Sequence, residues 1–206
     1  MKKLEAECFM GSTVETLALP SSVSVIERQA FDGCGGLKNA TLREGIASIG
    51  DNCFRNSGIQ RLAVPKSVKT LGAGACCGCK GLAEITLQEG LETIGASCFV
   101  QSAVREIAVP KTVKAIGENA FSQCAALVKV AFQEGLESIG ANCFECSGIK
   151  EVVIPRTVRT IGENAFFQCE ALTTVIFAQD SQLNTIGQLA FKNCKNLKSI
   201  DLPKCV

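Results

Sequence analysis

The chain of 206 residues contains no histidine, no tryptophan and no tyrosine. Histidine is the usual general base near neutral pH and the commonest metal ligand, and tryptophan and tyrosine are favoured at binding hot spots. The formal net charge is +1, and neither sign forms a long run. The sequence therefore predicts that the protein is not an enzyme, needs no cofactor or metal, and does not take nucleic acid as its main partner.

Long apolar segments are also missing. No stretch reaches the roughly 18 to 20 apolar residues that a membrane-spanning helix requires. The start, MKKLEAECFM, has too few apolar residues behind its lysines for a signal peptide. We therefore expect no membrane insertion in this segment.

A repeat dominates what the chain does contain. An isoleucine or leucine before a glycine recurs every 22 or 23 residues, at Ile49, Leu71, Ile94, Ile116, Ile139 and Ile161. Proline recurs every 45 residues, at Pro20, Pro65, Pro110 and Pro155, so the true period is a pair of coils. Such spacing predicts a solenoid, with residues 1–206 as one array of about eight coils.

The repeat has irregularities inside the chain and at its ends. The marker interval stretches to 25 residues between Ile161 and Ile186, which predicts a loop insertion near residues 178–183. The pattern is already present at Cys8-Phe9 and still present at Leu202-Pro203, without the polar capping repeats that solenoids normally carry. The expectation is a piece of a longer protein whose uncapped ends allow end-to-end self-association.

Each coil holds a short alternating run, such as Ile85-Thr86-Leu87, whose period of two and β-branched residues predict a strand. Equivalent strands of successive coils must lie side by side and parallel, about 4.8 Å apart, in one continuous sheet. A-F-x-x-C, as at Ala120-Phe121, is expected to form a helical or 3₁₀ turn with its Phe in the core. The alternation predicts these inward residues: Leu62, Val64, Ile85, Leu87, Ile107, Val109, Val130, Phe132, Val152 and Ile154.

The combined pattern L-x-x-I-x-L-P-x-x-V-x-x-I-G-x-x-A-F-x-x-C resembles the BspA-like leucine-rich repeat over essentially the whole chain. The resemblance implies a right-handed leucine-rich-repeat solenoid, with a parallel β-sheet on the concave face and short helical or 3₁₀ turns and loops on the convex side. It also implies protein binding or adhesion, no enzymatic activity, and a cell-surface or secreted location. The chain departs from the pattern where Cys replaces Ala before Phe in every second coil, and where Cys76 replaces the Phe itself.

Thirteen cysteines need an explanation. Those at equivalent positions two coils apart are separated by about 10 Å, beyond the roughly 7 Å limit for a disulfide. Two C-x-x-C sequences, Cys76 to Cys79 and Cys143 to Cys146, fit either a packed core or a redox or zinc site, and the usual burial of cysteine favours packing. Whether either pair forms a disulfide stays open. Many unpaired thiols favour a reducing compartment, against the location that the resemblance implies.

Charges alternate between coils. Alignment on the marker residue places lysines or arginines of one coil beside glutamates of the next, in the order Lys66 and Lys69, Glu89 and Glu92, Lys111 and Lys114, Glu134 and Glu137, Arg156 and Arg159. We interpret these columns as fixing which coils pair, since columns of one sign would repel. The alternative is that they are ordinary solubilising charges, because exposed pairs contribute little.

The outward side of the predicted sheet is the candidate binding surface, for a protein ligand whose identity the sequence does not give. It is flat, rich in small residues and mixed in charge, and it becomes more apolar toward Val153 and Ile176. The alternatives are that such residues are simply what a sheet tolerates, and that the chain is a structural spacer or consensus-like repeat scaffold. The candidate residues are Asn39, Thr41, Arg43, Arg61, Ala63, Glu84, Thr86, Gln88, Glu106, Ala108, Lys129, Ala131, Glu151, Val153, Thr174 and Ile176.

Overall fold

A computed structural model describes residues 2–206, which form a parallel β-solenoid of about eight turns. The even-numbered strands come from the alternating runs: β2 (Thr16–Ala18), β4 (Asn39–Thr41), β6 (Arg61–Ala63), β8 (Glu84–Thr86), β10 (Glu106–Ala108), β12 (Lys129–Ala131), β14 (Glu151–Ile154) and β16 (Thr174–Phe177). The odd-numbered strands come mostly from the segment before the repeat glycine: β1 (Lys2–Leu4), β3 (Val23–Ile26), β5 (Ser48–Ile49), β7 (Thr70–Leu71), β9 (Thr93–Ile94), β11 (Ala115–Ile116), β13 (Ser138–Ile139), β15 (Thr160–Ile161) and β17 (Thr185–Ile186).

The expectation of one continuous sheet on the even strands was wrong. These strands form two four-stranded sheets, β2-β4-β6-β8 and β10-β12-β14-β16. The continuous sheet is the nine-stranded one that joins all the odd strands in order. The sequence predicted no strands in the segments that form it. Two-residue strands carry too short an alternation to be recognised by period, so this sheet was missed.

Pairing between even strands alternates with the 45-residue period. We call a coil whose strand leads into proline a proline coil, and the following one a plain coil. The strand of a proline coil pairs along its length with the next strand, as β6 does with β8, but β4 and β6 meet only at Asn39 and Arg61. The Val64 N–H donates forward to the Thr86 carbonyl at 2.9 Å, so the next N–H would face the preceding coil. Position 65 is proline and has no N–H to donate.

Side chains join a plain coil to the following proline coil, where few backbone hydrogen bonds form. The Thr112 hydroxyl of a proline coil accepts the Gly90 N–H at 3.1 Å and donates to the Leu91 carbonyl at 2.6 Å in the plain coil before it. Ser67 and Thr157 make the same two bonds one coil pair earlier and later. We call these contacts hydroxyl bridges. They satisfy backbone groups that a turn would otherwise leave unpaired.

The two even sheets are separated between β8 and β10, and we call this discontinuity the seam. Gly58 and Gly148 begin the approach to a strand, and their N–H groups donate to the preceding coil, to Cys34 and Cys124 at 3.1 and 3.3 Å. The equivalent residue at the seam is Ala103, and within residues 2–206 its N–H makes no such bond. A Cβ on either glycine would collide with a backbone carbonyl of the preceding coil. We therefore infer that the methyl group of Ala103 prevents this bond and interrupts the sheet at the seam.

The A-F-x-x-C segments are not helical anywhere in the described chain, so the helical or 3₁₀ turns expected on the convex side were wrong. They are runs of hydrogen-bonded turns in which alternate N–H groups point along the solenoid; Phe121, for example, donates to the Cys143 carbonyl at 2.8 Å. Each run places residues such as Asn119 and Gln123 at positive φ, 57° and 59°. Asparagine tolerates this region well. Bonds between coils have replaced the bonds that would form a helix.

The core matches the predicted inward set, although Ile85, Leu87 and Phe132 are only half-buried. Phenylalanine rings stack along the solenoid with centroids 5.1 to 5.5 Å apart, from Phe9 to Phe54 and again from Phe99 to Phe191. The stack is interrupted where Cys76 replaces the ring. Such stacking fixes each coil over the next and adds to the burial of apolar area.

One cysteine column does more than fill space. The thiol of Cys79 donates to the Phe54 carbonyl of the preceding coil at 2.8 Å, and Cys124 and Cys169 do the same to Phe99 and Phe144 at 3.0 Å. Serine occupies the alternate coils of this column, as at Ser57 and Ser102. The column is therefore a line of S–H and O–H groups inside the core. The sequence predicted packed, buried cysteines here but not their role as donors.

The predicted charge columns are only partly joined by ion pairs. Lys69 pairs with Glu92 at 3.2 Å and Lys114 with Glu137 at 3.9 Å. Glu89 instead accepts the backbone N–H of Lys111 at 3.4 Å. All these side chains are well exposed, where a pair contributes about 0 to 1 kcal/mol. The role of these columns in fixing coil pairing stays a prediction.

Candidate protein-interaction surface

The outward residues of the even strands form two parallel columns, which we call the outer sheet face. The central column consists of Ala18, Thr41, Ala63, Thr86, Ala108, Ala131, Val153 and Ile176, and the flanking column of Thr16, Asn39, Arg61, Glu84, Glu106, Lys129, Glu151 and Thr174. Every predicted site residue in these columns is exposed except Thr174, which is half-buried. Because alternate residues of a strand point to opposite sides, burial of the inward set leaves this face to solvent.

Arg43 and Gln88 lie outside the two columns. They follow β4 and β8 by two residues, in the turns of plain coils, and both are exposed. The structure therefore places them at the margin of the outer sheet face.

The flanking column is mixed in charge, and part of it is already paired within the chain. The Arg61 guanidinium lies 3.1 Å from the Glu84 carboxylate across the β6–β8 pair. Glu106 and Lys129 are register neighbours on β10 and β12. A partner would meet a face that carries both signs of charge, which favours orientation and partner choice more than raw affinity.

The apolar end of the face is its most distinctive feature. Val153 and Ile176 are direct register partners on β14 and β16, and they remain 53% and 51% exposed. Isolated exposed apolar residues are normal, whereas these two are adjacent and form one continuous apolar area on the face. The sequence pattern predicted this pair correctly as outward and apolar.

A groove of about 390 Å³ lies at the seam, and the sequence did not predict it. Its walls come from β8 and β10 and the residues before them, including Ala83, Thr86, Arg105 and Glu106. Arg105 was not among the predicted site residues. The available signal was the replacement of the repeat glycine by Ala103.

The buried thiols are poor nucleophiles. Burial raises the pKa of the Cys53 and Cys143 thiols well above the ordinary value, and it raises that of Cys169 to about 12. Cys79 differs, because the neighbouring Cys76 thiol and Ser57 hydroxyl stabilise its thiolate more than burial disfavours it and so lower its pKa, while the pKa of Cys76 is raised well above the ordinary value. The thiolate is the reactive form, so Cys79 has the most reactive environment of these thiols.

Within residues 2–206, no three side chains of the His, Cys, Asp and Glu types are grouped as metal ligands. The same part of the chain has no helix of the length and apolar character needed to cross a bilayer.

Comparison with known proteins gives the family. A model described as the BspA type leucine-rich repeat region, in six copies, matches residues 2–127 and 92–206. The chain belongs to the BspA-type leucine-rich repeat family. Such repeats serve generally as protein-interaction or surface scaffolds. No curated protein matches the chain.

Solved structures of bacterial leucine-rich repeat proteins share the fold. One from Bacteroides ovatus has 22% identity and a TM-score of 0.64, with 98% of this chain and 70% of that chain aligned. The pneumococcal vaccine antigen PcpA has 21% identity and a TM-score of 0.72, with 99% of this chain but only 56% of the antigen aligned. A leucine-rich cell surface protein from Faecalibacterium prausnitzii has 22% identity and a TM-score of 0.55, with 99% and 71% aligned. At these identities the likeness shows the fold alone.

Proposed function

We propose that the chain is a non-catalytic protein-binding module that contacts its partner through the outer sheet face, in the setting of cell-surface adhesion. The observation that carries this proposal is the exposed apolar pair Val153 and Ile176 at the end of an otherwise small-residue face. One structural neighbour is described as a cell surface protein, which supports the setting.

The apolar pair is the expected anchor of such a contact. Full burial of a valine or isoleucine side chain contributes about 1.5 to 3 kcal/mol relative to exposure. Both side chains are about half-exposed, so a partner can still bury a large part of each. The charges along the flanking column would then orient the partner, because rim charges act mainly on association and specificity.

The test is capture of partner proteins by matched charge-reversal variants. The face variant carries Glu84→Lys, Glu106→Lys and Lys129→Glu. The control variant carries Glu118→Lys, Glu163→Lys and Lys192→Glu, which changes net charge equally at exposed positions outside the even strands. Quantitative mass spectrometry then compares what the native chain and each variant retain.

We expect a partner that the native chain and the control variant retain and the face variant loses. Ile176→Ser should weaken binding of that partner about tenfold, which corresponds to 1.4 kcal/mol. Equal retention by the face variant and the control would contradict use of the outer sheet face.

A structural spacer is the second candidate function. The regular Phe stacking and the continuous nine-stranded sheet favour it, since both make a stiff rod. A spacer has no dedicated ligand, so neither charge-reversal variant would lose a partner. A face-specific loss therefore separates the two functions.

A further inference from the structure

The Cys76–Cys79 segment lies where the core pattern changes. Cys76 replaces the stacked ring between Phe54 and Phe99, and both cysteines are fully buried. No other coil places a cysteine at the ring position. This pair therefore needs an explanation beyond the cysteine column that the coils share.

The backbone of this segment suits a disulfide. The Cys79 N–H donates to the Cys76 carbonyl at 3.3 Å and closes a four-residue turn. The end residues of such a turn have Cα atoms less than about 7 Å apart, and disulfides span about 4.4 to 6.8 Å. Neither side chain has exposed surface, so both enter the core from the same turn.

The second C-x-x-C sequence is an internal comparison. Cys143 is buried, but the Cys146 thiol is half-exposed and donates to the Gln168 amide oxygen at 3.2 Å. The Cys146 N–H points to the next coil, where it donates to Phe167 at 2.9 Å. The spacing is the same, yet one sulfur faces the core and the other the surface.

The seam lies next to the coil that carries the buried pair, and it weakens the backbone bonding there. In two other places a glycine N–H of the following coil donates to the carbonyl of the cysteine equivalent to Cys79: Gly58 to Cys34, and Gly148 to Cys124. Ala103 makes no such bond within the described chain, so the Cys79 carbonyl is held less firmly by the following coil. Local opening costs less free energy where fewer backbone bonds must break.

We propose that Cys76 and Cys79 are a site of reversible disulfide formation, and that Cys143 and Cys146 are not. The oxidant is a small-molecule disulfide such as oxidised glutathione. The Cys79 thiolate attacks one sulfur of that disulfide, forms a mixed disulfide and releases one thiol. The Cys76 thiolate then attacks the Cys79 sulfur and releases the second thiol, so the protein loses two protons and two electrons and the reagent gains them.

Oxidation should loosen the fold locally. The Cys79 S–H donates to the buried Phe54 carbonyl at 2.8 Å, and a disulfide has no hydrogen to donate. The closed loop has only four residues, so the gain from restricting the unfolded chain is small. The oxidised protein is therefore expected to melt at a lower temperature than the reduced protein.

The test uses the folded full chain with Cys77→Ser, so that the tryptic peptide Thr70–Lys80 contains only Cys76 and Cys79. The protein is treated with oxidised glutathione, free thiols are alkylated, and both cysteine pairs are analysed by mass spectrometry. The peptide Val130–Lys150 carries Cys143 and Cys146 and reports on the comparison pair in the same sample. Cys79→Ser serves as a second variant, because serine already fills this column in alternate coils.

We expect Thr70–Lys80 to lose two hydrogen masses and to escape alkylation, while Val130–Lys150 stays a dithiol. A reducing thiol should reverse the change, and the fall in melting temperature should be absent in the Cys79→Ser protein. Full alkylation of Cys76 and Cys79, a stable glutathione adduct without ring closure, or preferential oxidation of Cys143 and Cys146 would each overturn the proposal.

Discussion

At the residue scale, one methyl group decides whether two coils join their even strands. Gly58 and Gly148 let the chain pass close to a carbonyl of the preceding coil, whereas the N–H of Ala103 makes no bond to that coil. The sequence shows this substitution, but its effect depends on a distance between coils that no periodicity reveals. The same holds for the thiol donors, since a cysteine in a core pattern does not show where its S–H points.

Exchange of these residues should move the seam. We expect Gly148→Ala to break the β12–β14 contact and to lower the free energy of unfolding by about 1 to 3 kcal/mol, the cost of overpacking. Ala103→Gly should instead slow amide hydrogen exchange in β10, because it allows the missing bond to form. Urea unfolding and exchange measured by mass spectrometry check both. Unchanged exchange in β10 of the glycine variant would show that Ala103 does not cause the seam.

Buried thiols should also make stability depend on pH. Burial raises the folded-state pKa of Cys169 from 9.0 to about 12. Between these two pH values the thiol is ionised in the unfolded chain but still neutral in the folded protein. Its stabilisation is complete below about pH 9 and is lost as pH rises from 9 toward 12. We expect the urea midpoint to fall in this window, and to fall less in Cys169→Ser. An equal fall of the urea midpoint in the native protein and in Cys169→Ser would show that other groups cause the loss of stability.

At the element scale, the 45-residue period of the sequence corresponds to two ways of joining coils. Backbone pairing dominates within a coil pair, and hydroxyl bridges supplement it between pairs. The proline spacing predicted the period, and the alternation predicted the even strands and their inward side chains. The sequence could not predict the hydroxyl bridges, because a serine or threonine after proline is equally common in a solvated turn.

The hydroxyl bridges should carry measurable stability. Thr112→Val keeps the shape of the side chain but leaves the Gly90 N–H and the Leu91 carbonyl without their partner. An unpaired buried group costs about 1 to 3 kcal/mol, and these groups are partly exposed, so the expected loss lies near the lower end. Thr86→Val on the exposed outer sheet face is the matched control, with an expected change within about 0.5 kcal/mol. Equal urea midpoints for the two variants would contradict the role of the bridges.

At the scale of the whole molecule, the sequence predicted the solenoid, the family and the outward residues, because all three follow from a regular repeat. It did not predict the division of the even sheet or the groove beside Arg105, because the period does not show where hydrogen bonding between coils stops. The outer sheet face could be located from alternation alone. Whether that face binds a partner could not be predicted in the same way, because binding also depends on the partner's surface.

The most direct measurement of that use is photo-crosslinking from single positions. A photoreactive amino acid at Ala108 lies on the outer sheet face, and one at Ala115 lies on β11, at another exposed alanine of the same coil in the other sheet. With the captured partner present, the account predicts partner adducts from position 108 and none from position 115. Adducts from position 115 alone, or equal yields from both positions, would contradict binding through the outer sheet face.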